Sequence, residues 1–301
     1  MLPLSSHPTD SSLNSLRFTP GVRVLLFFLI AFIALIVPSV FLATIGFFLK
    51  GFSPTVMLRL AAVVQDLFVF ILPPVITALI VSASPARLLA VDRGIDQRLF
   101  LLACVTYICG CPALECIVRL NNGISLPEAL NSVEEWMRMM EDAAARQVEV
   151  LLGSNSVASL VVSVLIVGVM AGLSEELFFR GGLQRLLMAT RLNHHAAIWI
   201  TAFVFSSFHF QFFGFFPRML LGAYFGYLLY WSGSLWLPIA IHILNNCIVV
   251  VARWAGSVSD TPLTDSTDGS VYNLALIAGS VVLTGAMLLL MSRRGALLRK
   301  C

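Results

Sequence analysis

The chain of 301 residues is too hydrophobic for a water-soluble protein, because 58% of its residues are hydrophobic and only 12% are charged, against about 25% charged residues in soluble domains. Its 19 basic and 16 acidic residues give a formal charge of +3, which is too small to indicate a nucleic-acid partner. Composition therefore excludes a soluble enzyme and a nucleic-acid-binding module, and it indicates a chain that lies within a lipid bilayer.

The predicted elements begin with a polar tail. Residues 1–20 are rich in Ser and Pro with little apolar periodicity, which predicts a flexible cytoplasmic tail. Crossing the hydrocarbon core takes about 20 apolar residues. Runs of about this length predict an all-α transmembrane bundle that forms one domain over residues 21–300. The eight predicted spans are 23–49, 61–83, 99–118, 151–173, 195–213, 217–231, 236–252 and 271–291.

The basic residues predict the orientation of this bundle. An even number of spans places both termini on one side, and the segments on that side hold 12 of the 19 basic residues. These are Arg17, Arg23, Arg87, Arg93, Arg98, Arg180, Arg185, Arg191, Arg293, Arg294, Arg299 and Lys300. Because cytoplasmic loops carry an excess of Lys and Arg, we expect an integral protein of the cell (plasma) membrane with both termini cytoplasmic. Lys50 and Arg59, on the opposite side, are exceptions.

Residues 128–150 separate the third and fourth predicted spans and combine helix-forming residues with many charges. Such a segment is either an amphipathic helix at the membrane interface or a solvated connector between spans. The high charge density favours the solvated connector.

Ionisable side chains at membrane depth are costly, so each one is a functional candidate. The candidates are Asp66, Glu115, Glu175, Glu176, Arg180, His209 and His242, and the amides Asn245 and Asn246 accompany them.

In GLSEELFFRGGLQRLL, at the end of the predicted fourth span, Glu176 and Arg180 are four residues apart and can pair on one helix face. Glu175 then points elsewhere and is free to act as a base toward a cavity. The alternative is an ordinary interfacial charge cluster.

The histidines allow both chemical and structural interpretations. His209 lies among aromatic residues in FVFSSFHFQFFGFF, as a packed interior histidine or a catalytic one would. His242 and Asn246 are four residues apart in WLPIAIHILNNCIVV, so both side chains can face one point. That geometry suits two metal ligands, two donors to a developing oxyanion, or a polar pair that joins helices.

Together these segments resemble the motifs of the CAAX prenyl protease and bacteriocin-processing (CPBP, or Abi) family of intramembrane endopeptidases. The resemblance covers about residues 155–255. The three motifs are EExxxR at Glu175, Glu176 and Arg180, FxxxH at Phe205 and His209, and HxxxN at His242 and Asn246.

The resemblance implies a peptide hydrolase in which Glu175 is the general base that activates water and His209 positions that water. His242 and Asn246 would polarise the scissile carbonyl or bind its oxyanion, and Glu176 with Arg180 would give structural support. Family members are commonly described as metalloproteases. Glu175, His209, His242 and Asn246 could hold a divalent ion such as zinc, but the chain has no HExxH motif and Asn is a poor zinc ligand, so a metal-free Glu/His pair stays open.

The resemblance also implies a substrate bond near a membrane anchor, in a prenylated protein C-terminus or in a bacteriocin- or signal-related peptide. The competing hypothesis is a transporter or a bacteriocin-immunity protein that uses the same polar residues for binding. Transporters often show inverted repeats, whereas the polar groups here gather in the second half of the sequence. The oligomeric state is not predicted.

Overall fold

The computed structural model describes residues 17–48, 51–258 and 274–298. The predicted N-terminal tail lies mostly outside these residues, as do Lys50, Arg299 and Lys300. Over the described ranges the chain forms ten α-helices and no strand, which confirms the all-α prediction. The helices are α1 (Pro20–Phe48), α2 (Pro54–Val81), α3 (Pro85–Leu88), α4 (Gln97–Asn122), α5 (Asn131–Leu152), α6 (Val157–Met188), α7 (His194–Ser207), α8 (Phe215–Ser232), α9 (Trp236–Val258) and α10 (Leu274–Leu298).

Six of the described helices are long and apolar enough to cross a membrane, namely α1, α2, α4, α6, α9 and α10. The chain is therefore a polytopic integral membrane protein. The fifth and sixth predicted spans correspond to α7 and α8, which have 14 and 18 residues, are not among the six, and pack closely against each other. Eight is thus an approximate count of spans.

Of the predicted boundaries that differ from the structure, two affect the site. The fourth span was expected to end near residue 173, but α6 continues to Met188. Gly181 and Gly182 do not end the helix, because they are packing positions: a Cβ on Gly182 would lie 2.7 Å from the Phe27 ring. The fifth span was expected to include His209, but α7 ends at Ser207 and His209 lies in the turn that follows.

Helices α2 and α6 each depart from regular α-helical hydrogen bonding. Helix α2 contains a π-helical segment at Asp66–Ile71, and α6 contains two, at Val164–Met170 and Leu177–Gln184. The two segments of α6 flank the short α-helical stretch Ala171–Glu176. Since π-helical turns occur frequently at functional sites, they direct attention to the region where α2 and α6 meet.

Two large clusters of buried side chains make up most of the interior of the described residues. Phe27 of α1, Phe70 of α2 and the adjacent Phe178 and Phe179 of α6 form an aromatic cluster, with the rings of Phe27 and Phe178 centred 4.8 Å apart. The second cluster joins α4, α8, α9 and α10. Lipid is as apolar as these side chains, so close packing holds the helices together rather than exclusion from water.

Arg59, one of the two exceptions to the predicted charge distribution, lies within α2 and holds the end of α5. Its Nε donates to the Leu151 carbonyl at 2.9 Å, and its Nη2 donates to the Leu152 carbonyl at 2.8 Å and to Ser159 Oγ at 2.7 Å. The last carbonyls of a helix lack partners within the helix, and a guanidinium satisfies them well. Arg59 therefore fixes the junction of α5 and α6.

Candidate active site

The two adjacent glutamates of α6 have different surroundings. Glu176 is fully buried, and its Oε1 accepts hydrogen bonds from Arg180 Nη1 at 2.6 Å and from His242 Nδ1 at 2.8 Å. The ion pair expected from the four-residue spacing is therefore present. Glu176 also makes a bond that the spacing does not indicate, to a histidine of α9.

The guanidinium of Arg180 is fully buried, and several contacts stabilise its charge. Besides Glu176, it donates from Nη2 to the Gly222 carbonyl of α8 at 2.8 Å, and it lies 4.5 Å from the centre of the Phe205 ring. A Cβ on Gly222 would lie 3.2 Å from Nη2, so glycine is needed for this approach. Because a buried charge without partners is very costly, these contacts allow an ion pair inside the bundle.

His242 lies between the two glutamates. A carboxylate only accepts hydrogen bonds, so the contact with Glu176 places a proton on Nδ1. The other ring nitrogen, Nε2, lies 3.8 Å from Glu175 Oε2, too far for a direct hydrogen bond and close enough for groups that share one water molecule. Glu176 thus orients the His242 ring toward Glu175, much as second carboxylates orient catalytic histidines.

Glu175 faces a cavity of about 370 Å³. Helices α2, α5 and α6 and the turn after α7 form its walls, and His209 lies in this lining together with Phe179 and Gln211. The His209 Nδ1 donates to the Phe205 carbonyl at 3.0 Å, because a carbonyl can only accept. In neutral His209 the remaining nitrogen, Nε2, is then an acceptor. The structure therefore places Glu175 and His209 at one cavity.

Asn246, like His242 one turn before it, is not part of the cavity lining. Its Nδ2 donates to the Val167 carbonyl of α6 at 3.1 Å, and its Oδ1 accepts from Asn245 Nδ2 at 2.9 Å. Asn245 in turn accepts from the Tyr107 hydroxyl of α4 at 2.9 Å. This amide chain joins α4, α6 and α9, which is the helix-joining interpretation considered from the sequence.

The sequence left Asp66 without a role, and the structure places it in the cavity lining with Glu175. Asp66 is 6% exposed, and its Oδ1 accepts from the hydroxyl of Ser174, the residue before Glu175, at 3.0 Å. Glu115 lies elsewhere, half exposed and paired with Arg119 at 3.1 Å. In the sequence, Asp66 and Glu115 are each a lone acid within a predicted span, so the sequence does not show which of them belongs to the site. The packing of α2 against α6 places Asp66 there and not Glu115.

Helix α5 forms part of the cavity wall, so residues 128–150 do more than connect two spans, although no residue of this helix is buried. Gln147 and the apolar residues Ala144, Val148 and Leu151 line the cavity from α5. The amphipathic pattern of this helix reflects that one side packs on α2 and the loop after His209, while the other side is exposed.

A polar chain fastens α5 to the loop that carries His209. Glu141 of α5 accepts from Gln211 Nε2 and from the Phe213 backbone N–H, both at 3.3 Å. Gln211 Oε1 accepts from Arg218 Nη2 of α8 at 2.6 Å. Arg138 adds a contact 4.5 Å above the Phe213 ring. The position of His209 therefore depends on α5 and α8.

The predicted metal-ligand set of Glu175, His209, His242 and Asn246 stays a prediction. Among the described residues, no group of three or more His, Cys, Asp or Glu side chains is placed to hold one. The Asn246 amide is bonded to Val167 and Asn245. The carboxylates and imidazoles are the groups that can do chemistry at this site.

Apolar helices around a buried Glu/His cluster with an adjoining cavity define a polytopic membrane protein with the groups that peptide hydrolysis requires. Residues 157–248 match the family model of type II CAAX prenyl endopeptidase Rce1-like proteins, which confirms the resemblance to the CPBP family for this part of the chain. The match supports an intramembrane endopeptidase that acts on a peptide or protein. Asp66 and α5 lie outside the matched residues. No curated protein and no solved structure matches the chain.

Proposed function

We propose that this protein is an intramembrane endopeptidase in which Glu175 activates water to hydrolyse a peptide bond near the membrane. The observation that carries the proposal is the division between the two glutamates. Glu176 is fully buried and bonded to Arg180 and His242, whereas Glu175 faces the cavity with its Oε2 3.8 Å from His242 Nε2. Unlike Glu176, Glu175 accepts no direct hydrogen bond from Arg or His among the described residues, and a carboxylate of this kind at a cavity suits a general base.

The proposed reaction begins with water held by Glu175 and by the acceptor nitrogen of His209. Glu175 removes a proton as the water oxygen adds to the carbonyl carbon. In its imidazolium form, His242, held by Glu176 at Nδ1, donates from Nε2 to the developing oxyanion. The tetrahedral intermediate then collapses, the C–N bond breaks, and Glu175 passes its proton to the leaving nitrogen.

In this scheme Asn246 supports the site instead of binding the oxyanion. Its bond to the Val167 carbonyl holds α9 against α6, one turn from His242, and thereby sets the register of the histidine. Arg180 supports Glu176 in the same way. The scheme uses no metal ion, because Glu175 and His209 already hold and activate the water.

The proposed orientation, with both termini cytoplasmic in the plasma membrane, bears on the substrate. Helix α1 carries the chain across the membrane, so α2 begins on the side opposite the termini, and α5 and the turn after α7 lie on that side too. The cavity is lined by the first half of α2, by α5 and by that turn. It therefore opens away from the cytoplasm, which favours a peptide anchored at the outer leaflet over a cytoplasmic prenylated C-terminus.

Cleavage assays test the activity. Purified full-length protein in liposomes is given two fluorogenic peptides of one sequence, one of them with an S-farnesyl cysteine four residues from its free C-terminus. Wild type is compared with Glu175→Gln and His209→Ala, each with and without a chelator. Glu115→Gln removes an exposed carboxylate and is the matched control. Cleavage by wild type and the control, lost in the two site variants and unaffected by the chelator, supports the proposal.

The outcomes separate the alternatives. Loss of wild-type activity with chelator, restored by zinc, contradicts the metal-free scheme. No cleavage of either peptide, with the peptides bound or transported in a Glu175-dependent manner, favours a transporter or immunity protein. Orientation is measured separately with a reporter fused after the C-terminus that is active only in the cytoplasm; an inactive reporter would reverse the assigned side of the cavity.

A further inference from the structure

The cavity has an acidic character that the hydrolytic scheme does not use. Two carboxylates line it, Asp66 and Glu175, and none of the described residues in its lining is Lys or Arg. Arg218, which interacts electrostatically with Glu175, donates to Gln211 and does not belong to the lining. A cavity of this composition favours a ligand that donates N–H groups or carries positive charge.

Asp66 lies outside the matched residues 157–248, yet specific contacts fix its position. It is 6% exposed, it opens the π-helical segment of α2, and its Oδ1 accepts from Ser174 at 3.0 Å. Ser174 immediately precedes Glu175 in α6, and the two carboxylates are close enough to interact electrostatically. One bond therefore fixes Asp66 relative to the proposed base and leaves its other oxygen, Oδ2, for a ligand in the cavity.

We propose that Asp66 is a further residue of the active site and binds the amine that peptide cleavage releases. This inference rests on the proposed function. When the C–N bond breaks, Glu175 gives its proton to the nitrogen, and the new N-terminal amine takes a second proton from water near neutral pH, since α-amino groups have pKa values of about 8. An ammonium donates three hydrogen bonds and accepts none. Asp66 supplies an acceptor oxygen, and Glu175 is again a carboxylate.

The same contact acts before cleavage. As the leaving nitrogen becomes basic in the tetrahedral intermediate, a hydrogen bond from its N–H to Asp66 aligns its lone pair with the proton on Glu175. This interaction is stronger in the transition state than with the planar amide, so it raises kcat more than it lowers KM.

Product inhibition tests the inference directly. The probe is whichever farnesylated or unfarnesylated peptide is cleaved, and the inhibitors are its C-terminal cleavage product and the N-acetylated form of that product. In wild type the free amine is expected to inhibit about 10- to 100-fold more strongly than the acetylated form, the usual worth of a hydrogen bond to a charged group. Asp66→Asn is expected to abolish this preference and to lower kcat about 10- to 100-fold with little change in KM.

Controls keep the result interpretable. Glu115→Gln is expected to retain the wild-type inhibition ratio. If Asp66→Asn is unstable, Ser174→Ala takes its place, because it removes the bond that fixes Asp66. This variant is expected to reduce the ratio of inhibition by the free amine to inhibition by the acetylated form. An unchanged ratio in both variants overturns the role of Asp66 while leaving the proteolytic proposal in place. Full activity of Glu175→Gln, by contrast, overturns the proposed function and not merely this inference.

Discussion

Removal of the Arg180 charge is expected to destabilise the protein and to inactivate it. Arg180→Met leaves Glu176 as a buried carboxylate that has lost its charge-assisted bond at 2.6 Å, and it also removes the bond to the Gly222 carbonyl. Breaking one partner of a buried pair usually costs about 3–5 kcal/mol. Activity falls because Glu176, without Arg180, no longer holds His242 toward Glu175.

A second substitution separates charge from packing in this prediction. Glu176→Gln combined with Arg180→Met removes both charges and keeps an oxygen that accepts from His242 Nδ1. The double variant is expected to lose only about 1–3 kcal/mol, the cost of neutral hydrogen bonds and altered packing, and to recover part of the activity lost by Arg180→Met. Equilibrium unfolding in mixed detergent micelles measures both free energies. If the double variant is no more stable than Arg180→Met, the loss of unfolding free energy in Arg180→Met does not come from the unpaired Glu176 carboxylate, and the reasoning is refuted.

Two further predictions concern groups around the site. Glu141→Gln and Gln211→Glu are each expected to lower kcat severalfold, and the double variant to restore it, because the exchanged pair can again link Phe213 and Arg218; failure of this rescue would argue against a positioning role for α5. Asp96 directly precedes α4, and the hydrogen bond that it accepts from Arg294 lowers its pKa. Asp96 therefore contributes stability that is present above its unfolded pKa of about 3.9 and is lost as pH falls through the lower folded value. Asp96→Asn should show a shallower loss of unfolding temperature between pH 5 and about pH 2 than wild type, and identical profiles would contradict this.

The spans could be predicted because long apolar runs have one stable solution in a bilayer. The predicted span boundaries were wrong where polar residues have hydrogen-bonding or charged partners inside the bundle. Glu176 and Arg180 suggested the end of a span, yet α6 continues through them because the charges pair with each other and with α9, and because Gly182 admits Phe27. Local sequence does not contain these partners.

The site divides in the same way. The four-residue spacing predicted the ion pair of Glu176 and Arg180, because both residues lie on one helix face. It could not predict the bond from His242 to Glu176 across 66 residues of sequence. Nor could it place Asp66 and α5 at the cavity, since both depend on how α2 and α5 pack against α6. The metal-ligand hypothesis arose from residue types alone, and the sequence could not show that the Asn246 amide is bonded to the Val167 carbonyl.

The central claim is that Glu175 activates water for peptide hydrolysis, and cleavage in ¹⁸O-labelled water tests it most directly. Mass spectrometry of the products from wild type should show one ¹⁸O atom in the new C-terminal carboxyl group. Glu175→Gln, folded to the same extent by its unfolding temperature, should form labelled product about 10²- to 10⁴-fold more slowly, the usual contribution of a general base. Equal rates for Glu175→Gln and wild type would contradict the account.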